Sequence, residues 1–129
     1  MRKTLLVSAA VLPLLAAACG GSPVRSYSAP APQGALECSL RTMAGLGYTP
    51  TAGGVSDGYI RFARTMQRGL LGRDTHTDAI TVTSAMNQLR ITVVGMNEKN
   101  EQTKATDEAT GHAQAIISGC SNPSSATGG

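Results

Sequence analysis

Two histidines, His76 and His112, are the residues of this chain best suited to metal or acid–base chemistry. His76 belongs to the run His76-Thr77-Asp78, which on an extended strand sends imidazole and carboxylate to one side, because strand side chains alternate with a period of two. Joined by His112, they would offer the nitrogen and oxygen donors of a metal site, and a metal-bound water there would make a small metal-dependent hydrolase. The spacing matches none of the short paired motifs of structural or catalytic zinc. The plainer reading leaves His76 as a solvated loop residue and His112 as an exposed helix residue, and the spacing favours it.

Other reaction classes find less support. No G-x-S-x-G elbow presents a serine nucleophile, and no pattern ties either histidine to a particular serine. Gly45, Gly47, Gly53 and Gly54 do not follow the G-x-G-x-x-G order, and no G-K-S or G-K-T occurs, so phosphate cradling is not indicated. These patterns call for no cofactor, no metal and no catalytic residue, and the expectation is a protein that is not an enzyme.

Contact surfaces are the stronger candidates. Leu70 and Leu71 stand between Arg68 and Arg73 in a loop from Gln67 to Thr77, where they would either dip into an anionic membrane surface, dock on a partner, or fold back to complete a thin core. The last is the favoured expectation. A second surface is a sheet face carrying Arg61, Thr81, Thr83, Arg90 and Thr92. As a solvated polar face it needs no further explanation; with Tyr59, Val94 and Met96 added, it becomes mixed enough to bind a peptide, another envelope protein or a second copy.

The elements that would position these residues follow from periodicity. Leu36, Leu40 and Met43 form a helical stripe that Gly45 and Gly47 would end, with Cys38 on its flank. Tyr48 to Ala52 reads as a short edge strand, because Pro50 requires one unpaired backbone side. Tyr59 to Met66 alternates, with Ile60, Phe62 and Met66 on one face and Arg64 breaking the pattern. Ala79 to Met86 places Ile80, Val82 and Met86 inward; Leu89 to Gly95 does so with Leu89, Ile91 and Val93. Asn87 and Gln88 would turn the hairpin between them. After a polar connector, Thr106-Asp107-Glu108 opens a helix with the apolar stripe Ala109, Ala113, Ile116, Ile117 and Cys120. The expected fold class is α+β: a small antiparallel sheet of three to four strands with an N-terminal and a C-terminal helix on one face.

The beginning of the chain carries an address. Arg2 and Lys3 precede an uncharged stretch from Leu5 to Ala18, too short to span a hydrocarbon core of roughly 30 Å. Leu15-Ala16-Ala17-Ala18-Cys19 resembles the lipobox of bacterial lipoproteins, with its leucine one residue further back than is usual. The resemblance covers the signal segment only. It implies that residues 1–18 are a cleaved signal peptide and that Cys19 becomes an acylated N-terminus, carrying palmitate-type chains. Gly20, rather than aspartate, follows, which within that family favours the outer membrane, facing the periplasm. The alternative is an ordinary A-x-A cleavage site that leaves Cys19 as a free thiol on a soluble secreted protein.

Three cysteines in an exported chain leave one thiol to account for. With Cys19 lipidated, as the resemblance implies, Cys38 and Cys120 remain as a pair in an oxidising compartment, where a disulfide joining the two helices would persist. Their wide separation argues for a structural bond over a redox dithiol. Residues 19–34, rich in Gly, Ser, Pro and Ala, read as a flexible tether, residues 35–120 as one domain and residues 121–129 as a disordered tail. Removal of Arg2 and Lys3 leaves nine basic against eight acidic residues, a balance that argues against nucleic acid as a partner. The functional expectation is a lipid-anchored cell-envelope protein whose small periplasmic domain binds or scaffolds another envelope component. The metal-dependent hydrolase on His76, Asp78 and His112 is the alternative, and a binder of a small hydrophobic ligand between sheet and helices is a third.

Overall fold

The computed structural model describes residues 22–121, so residues 1–21, with the expected signal peptide and Cys19, and residues 122–129, the expected tail, lie outside the described residues. The alternating segments become strands β1 (Arg25–Pro30), β2 (Thr49–Gly54), β3 (Tyr59–Arg68), β4 (Asp74–Ala85), β5 (Gln88–Met96) and β6 (Gln102–Thr103). They form one antiparallel sheet in the order β1-β5-β4-β3-β2, with β6 beside β1 on the same edge of β5. Helices α1 (Ala35–Gly45) and α2 (Asp107–Cys120) lie on one face and contact each other.

Period-two alternation decides which residues fill the space between the layers. Ile60 and Phe62 of β3, Ile80 and Val82 of β4, and Leu89, Ile91 and Val93 of β5 are all buried on the helix side, meeting Leu36 and Met43 of α1 and Ala109, Ala113 and Ile116 of α2. Each large side chain in this set contributes about 1.5–3 kcal/mol by leaving water. Small alanines on α2 let that helix approach the sheet closely. Its start is fixed by Thr106, whose Oγ1 accepts a hydrogen bond from the Ala109 N–H at 3.0 Å, satisfying one donor that the helix itself leaves free. The end of α1 is a reversal through Leu46 and Gly47, the latter at φ +88°, a conformation glycine adopts without steric penalty.

Cys38 and Cys120 form a disulfide with Cα atoms 5.7 Å apart, joining the flank of α1 to the last residue of α2. The bond closes a separation of 82 residues; in the chain-entropy account such a loop is worth roughly 4–5 kcal/mol.

Four expectations need correction. The sheet has six strands rather than three to four. Part of the increase comes from Arg25–Pro30, inside the segment expected as a tether, which pairs with Gln88–Val93. Its composition has too little apolar surface to fold alone, but the open edge of β5 offers unpaired backbone groups, and Tyr27 packs against the core once docked. The hairpin turn is Met86-Asn87, not Asn87-Gln88: both residues have positive φ, the pairing Ala85 with Gln88 closes a two-residue loop, and Met86 is exposed instead of inward. Leu70 and Leu71 do not complete the core, because β3 and β4 extend to Arg68 and Asp74 and leave only a tight turn between them. Finally, Tyr48 precedes β2 and is buried, while Pro50 lies on the free edge as expected, at an irregularity in register.

Candidate functional site

The inward row of β3 and β4 continues past the core into charge. Registered with one another, Arg64 on β3 and Asp78 on β4 sit one step beyond Phe62 and Ile80, and Met66 pairs with His76 one step further. Alternation thus places His76, Asp78 and Arg64 on the helix side, beneath the start of α2.

Asp78 is fully buried and almost fully engaged. Its Oδ1 accepts from His76 Nε2 at 2.8 Å and from the Thr106 N–H at 3.0 Å, and its Oδ2 accepts from Thr106 Oγ1 at 2.7 Å. Arg64 reaches to 3.9 Å of the same oxygen, pairs with Glu108 on the first turn of α2, and stacks over the Tyr48 ring with its guanidinium carbon 4.8 Å from the centroid. Burial acts to raise the Asp78 carboxyl, but the side-chain and backbone bonds from Thr106, then the bond and charge of His76, outweigh it and hold the group below its ordinary value. The carboxylate also faces the positive end of the α2 dipole.

His112 belongs to a neighbouring contact. Its Nδ1 is hydrogen-bonded to the Tyr48 hydroxyl at 3.0 Å, and the two rings meet edge to face at 5.6 Å. Burial pushes the Tyr48 hydroxyl up to about 12, with Arg64 opposing and the carboxylates of Asp78 and Glu108 assisting, so the phenol stays protonated in this contact. The structure therefore brings His76 to Asp78 and ties His112 to Tyr48, and neither histidine is the solvated residue expected. Among the described residues, no group of three His, Cys, Asp or Glu side chains is placed to hold a metal ion.

The unexpected members are Arg64, Thr106, Glu108 and Tyr48. Arg64 announced itself in the sequence as the break in the β3 alternation; the others carry no comparable signal, because an N-cap threonine and a helix-start glutamate look the same whether or not a carboxylate lies beneath them.

His76 borders a surface cleft of about 460 Å³ lined by Arg68, Asp74, Asn97, Glu98, Thr103 and Lys104, among others. Gly95 makes room for the imidazole: a Cβ there would come within 2.7 Å of His76 Cε1 and of the Lys104 carbonyl oxygen. The lining includes no serine or cysteine, and the imidazole nitrogen nearer to Asp78 is already engaged. The arrangement fastens the start of α2 to the sheet.

The other surfaces differ in kind. On the sheet face away from the helices, Arg61, Thr81 and Thr92 form one row and Tyr59, Thr83 and Arg90 the next, with Val94 and Met96 further along β5. At the β3–β4 turn Leu70 is 90% and Leu71 81% exposed. Among the described residues no helix is long and apolar enough to cross a membrane. No protein-family model matches the chain, and no curated protein is significantly similar to it.

Proposed function

We propose that the chain is a lipid-anchored protein of the bacterial cell envelope, held by an acylated Cys19 and facing the periplasm from the outer membrane, whose domain binds or scaffolds another envelope component. The observation that carries this reading is the one-sided sheet. Both helices cover the same face, where the buried Asp78 is bonded to His76 and Thr106, while the opposite face offers arginines, threonines, Tyr59, Val94 and Met96 in registered rows. Such a mixed, rigid surface suits recognition better than reaction. The hydrolase alternative is weakened because the Asp78 oxygens accept three hydrogen bonds and His112 is bound to Tyr48.

The test is photo-crosslinking in cells from Thr81 or Thr92 of the full lipoprotein, with Glu37 on the exposed side of α1 as the control position. A reproducible adduct to one envelope protein from the sheet positions, and not from Glu37, is the expected result. Adducts from neither, in cells where the protein is present in the membrane fraction, would overturn the binding role and turn attention to substrate screening.

A further inference from the structure

The direction of β1 relates the lipid anchor to the Leu70-Leu71 turn. β1 is antiparallel to β5, which is antiparallel to β4, so β1 and β4 run the same way and begin at the same end of the sheet. β4 begins at Asp74, immediately after the turn. Read backwards, β1 therefore leaves the sheet at Arg25 toward the end that carries Leu70 and Leu71.

The lengths correspond. Arg25 is level with Val93 and, through it, with Ile80. From Ile80 to Asp74 is six residues of strand, about 20 Å. From Arg25 back to Cys19 is also six residues, which span at most about 20 Å even when fully extended, and Pro23 already lies in a bend. The leash thus reaches no further out than about the level of Asp74, and the turn projects beyond that level. When the domain stands on this end, the leash is too short to hold the turn clear of the bilayer.

The turn is built for that position. Leu70 and Leu71 contact no core, and Leu71 holds φ +68°, a conformation where glycine or asparagine would be cheaper for the turn alone. Gly69 and Gly72, both at positive φ, fold the chain back tightly around the two leucines. Arg68 and Arg73 flank them directly; in the cleft beside the turn the carboxylates of Asp74 and Glu98 face Arg68 and Lys104, so with Arg73 the charges around the apolar apex stay positive by one. At the opposite end of the sheet lie Met86 and Val55, beside a cleft of about 600 Å³.

We propose that this turn is a second membrane contact: Leu70 and Leu71 enter the headgroup–acyl boundary while Arg68 and Arg73 meet anionic headgroups, so that lipid and turn together hold the domain upright with its outer sheet face accessible. The inference rests on acylation of Cys19. Two attachments instead of one remove the swivelling freedom that a lipid on a leash would leave.

The chain contains no tryptophan, so one introduced residue is a clean reporter. The full lipoprotein carrying Leu70→Trp, and separately Val55→Trp at the far end, is reconstituted into phosphatidylglycerol-containing vesicles with brominated acyl chains. Flotation reads the anchor independently of the turn. The expected result is co-flotation of both variants with several-fold stronger bromine quenching from position 70 than from position 55, diminished when phosphatidylglycerol is replaced by phosphatidylcholine. Co-flotation with equal, weak quenching at both positions overturns the proposal and leaves the anchor standing. If position 70 is water-exposed in vesicles but shielded from acrylamide in native membranes, the occupant is a protein and the proposal likewise fails. Failure to float removes the anchor and the proposal with it. Because Leu70 is almost wholly exposed, the substitution leaves the fold intact, which an unchanged urea midpoint verifies.

Discussion

The two ends of α2 are fastened to the rest of the domain by opposite means. At its C-terminal end Cys120 is covalently bound to Cys38 on α1. At its N-terminal end Thr106 is held by a buried carboxylate of the sheet, which itself depends on His76 and Arg64. The covalent fastening acts chiefly by restricting the unfolded chain, so it tolerates changes in its surroundings. The polar one acts only in the folded state and only when complete, since each partner removed strands another in a dry site. Between the two, α2 packs on the sheet through a narrow stripe of Ala109, Ala113 and Ile116, all fully buried.

Breaking the covalent end has the largest expected effect. Cys38→Ser with Cys120→Ser should lower the unfolding free energy by roughly 4–5 kcal/mol in urea titration, without changing the pairing of the sheet. An effect under about 1 kcal/mol would mean that the unfolded chain is already compact enough for the bond to restrict little.

Breaking the polar end at its centre comes next. Asp78→Ala leaves Arg64, His76 and the Thr106 donors without their acceptor, and about 3 kcal/mol should be lost, at the lower end of the range for a disrupted buried pair because Arg64 keeps Glu108 and partial solvent access. Hydrogen exchange sharpens the comparison: protection in this variant should fall first at Ala109 and Thr110 and persist near Cys120.

Thr106→Ala removes one hydroxyl that both caps α2 and donates to Asp78, while the backbone bond from residue 106 stays. A loss of about 1.5 kcal/mol is expected, the upper part of the range for a capping threonine. A loss near zero would show that the backbone donor alone suffices.

The smallest effect is also the most selective, because it concerns pH. The Asp78 carboxyl is held below its ordinary value of 3.8 in the fold, so its contribution is present above that value and is lost as pH falls from there through the lower folded value. Stability should decline over that acid window in the wild type and decline less steeply in Asp78→Asn, whereas the disulfide variant should retain the wild-type slope. Equal slopes in all three would assign the acid sensitivity to other carboxylates.

The unequal legibility of the two fastenings has a physical cause. A disulfide shows in the cysteine count, and the helices that carry it show in their apolar spacing, so the Cys38–Cys120 pair follows from composition and the reading of Cys19. The carboxylate clamp needs the register: His76 and Asp78 were visible as same-side residues, and Arg64 as a flaw in an apolar row, but nothing local says that β3 and β4 align them or that α2 begins above them. Leu70 and Leu71 misled for the same reason. Their apolarity argues for burial, and only the extension of β3 and β4 to Arg68 and Asp74 leaves them no core to enter.

What the sequence determined by itself, then, is whatever depends on neighbours along the chain: the alternation of β3, β4 and β5, the stripes of the two helices, the α+β class, and the cysteines available to pair. Tertiary structure decided what depends on neighbours across space. It recruited Arg25–Pro30 as a strand because β5 had an edge to fill, shifted the hairpin to Met86-Asn87, and tied the buried His76 to Asp78 and the half-buried His112 to Tyr48. Local spacing fixes which way a side chain points, whereas the free energy of pointing there is set by the groups it meets, and those come from segments far away in the chain.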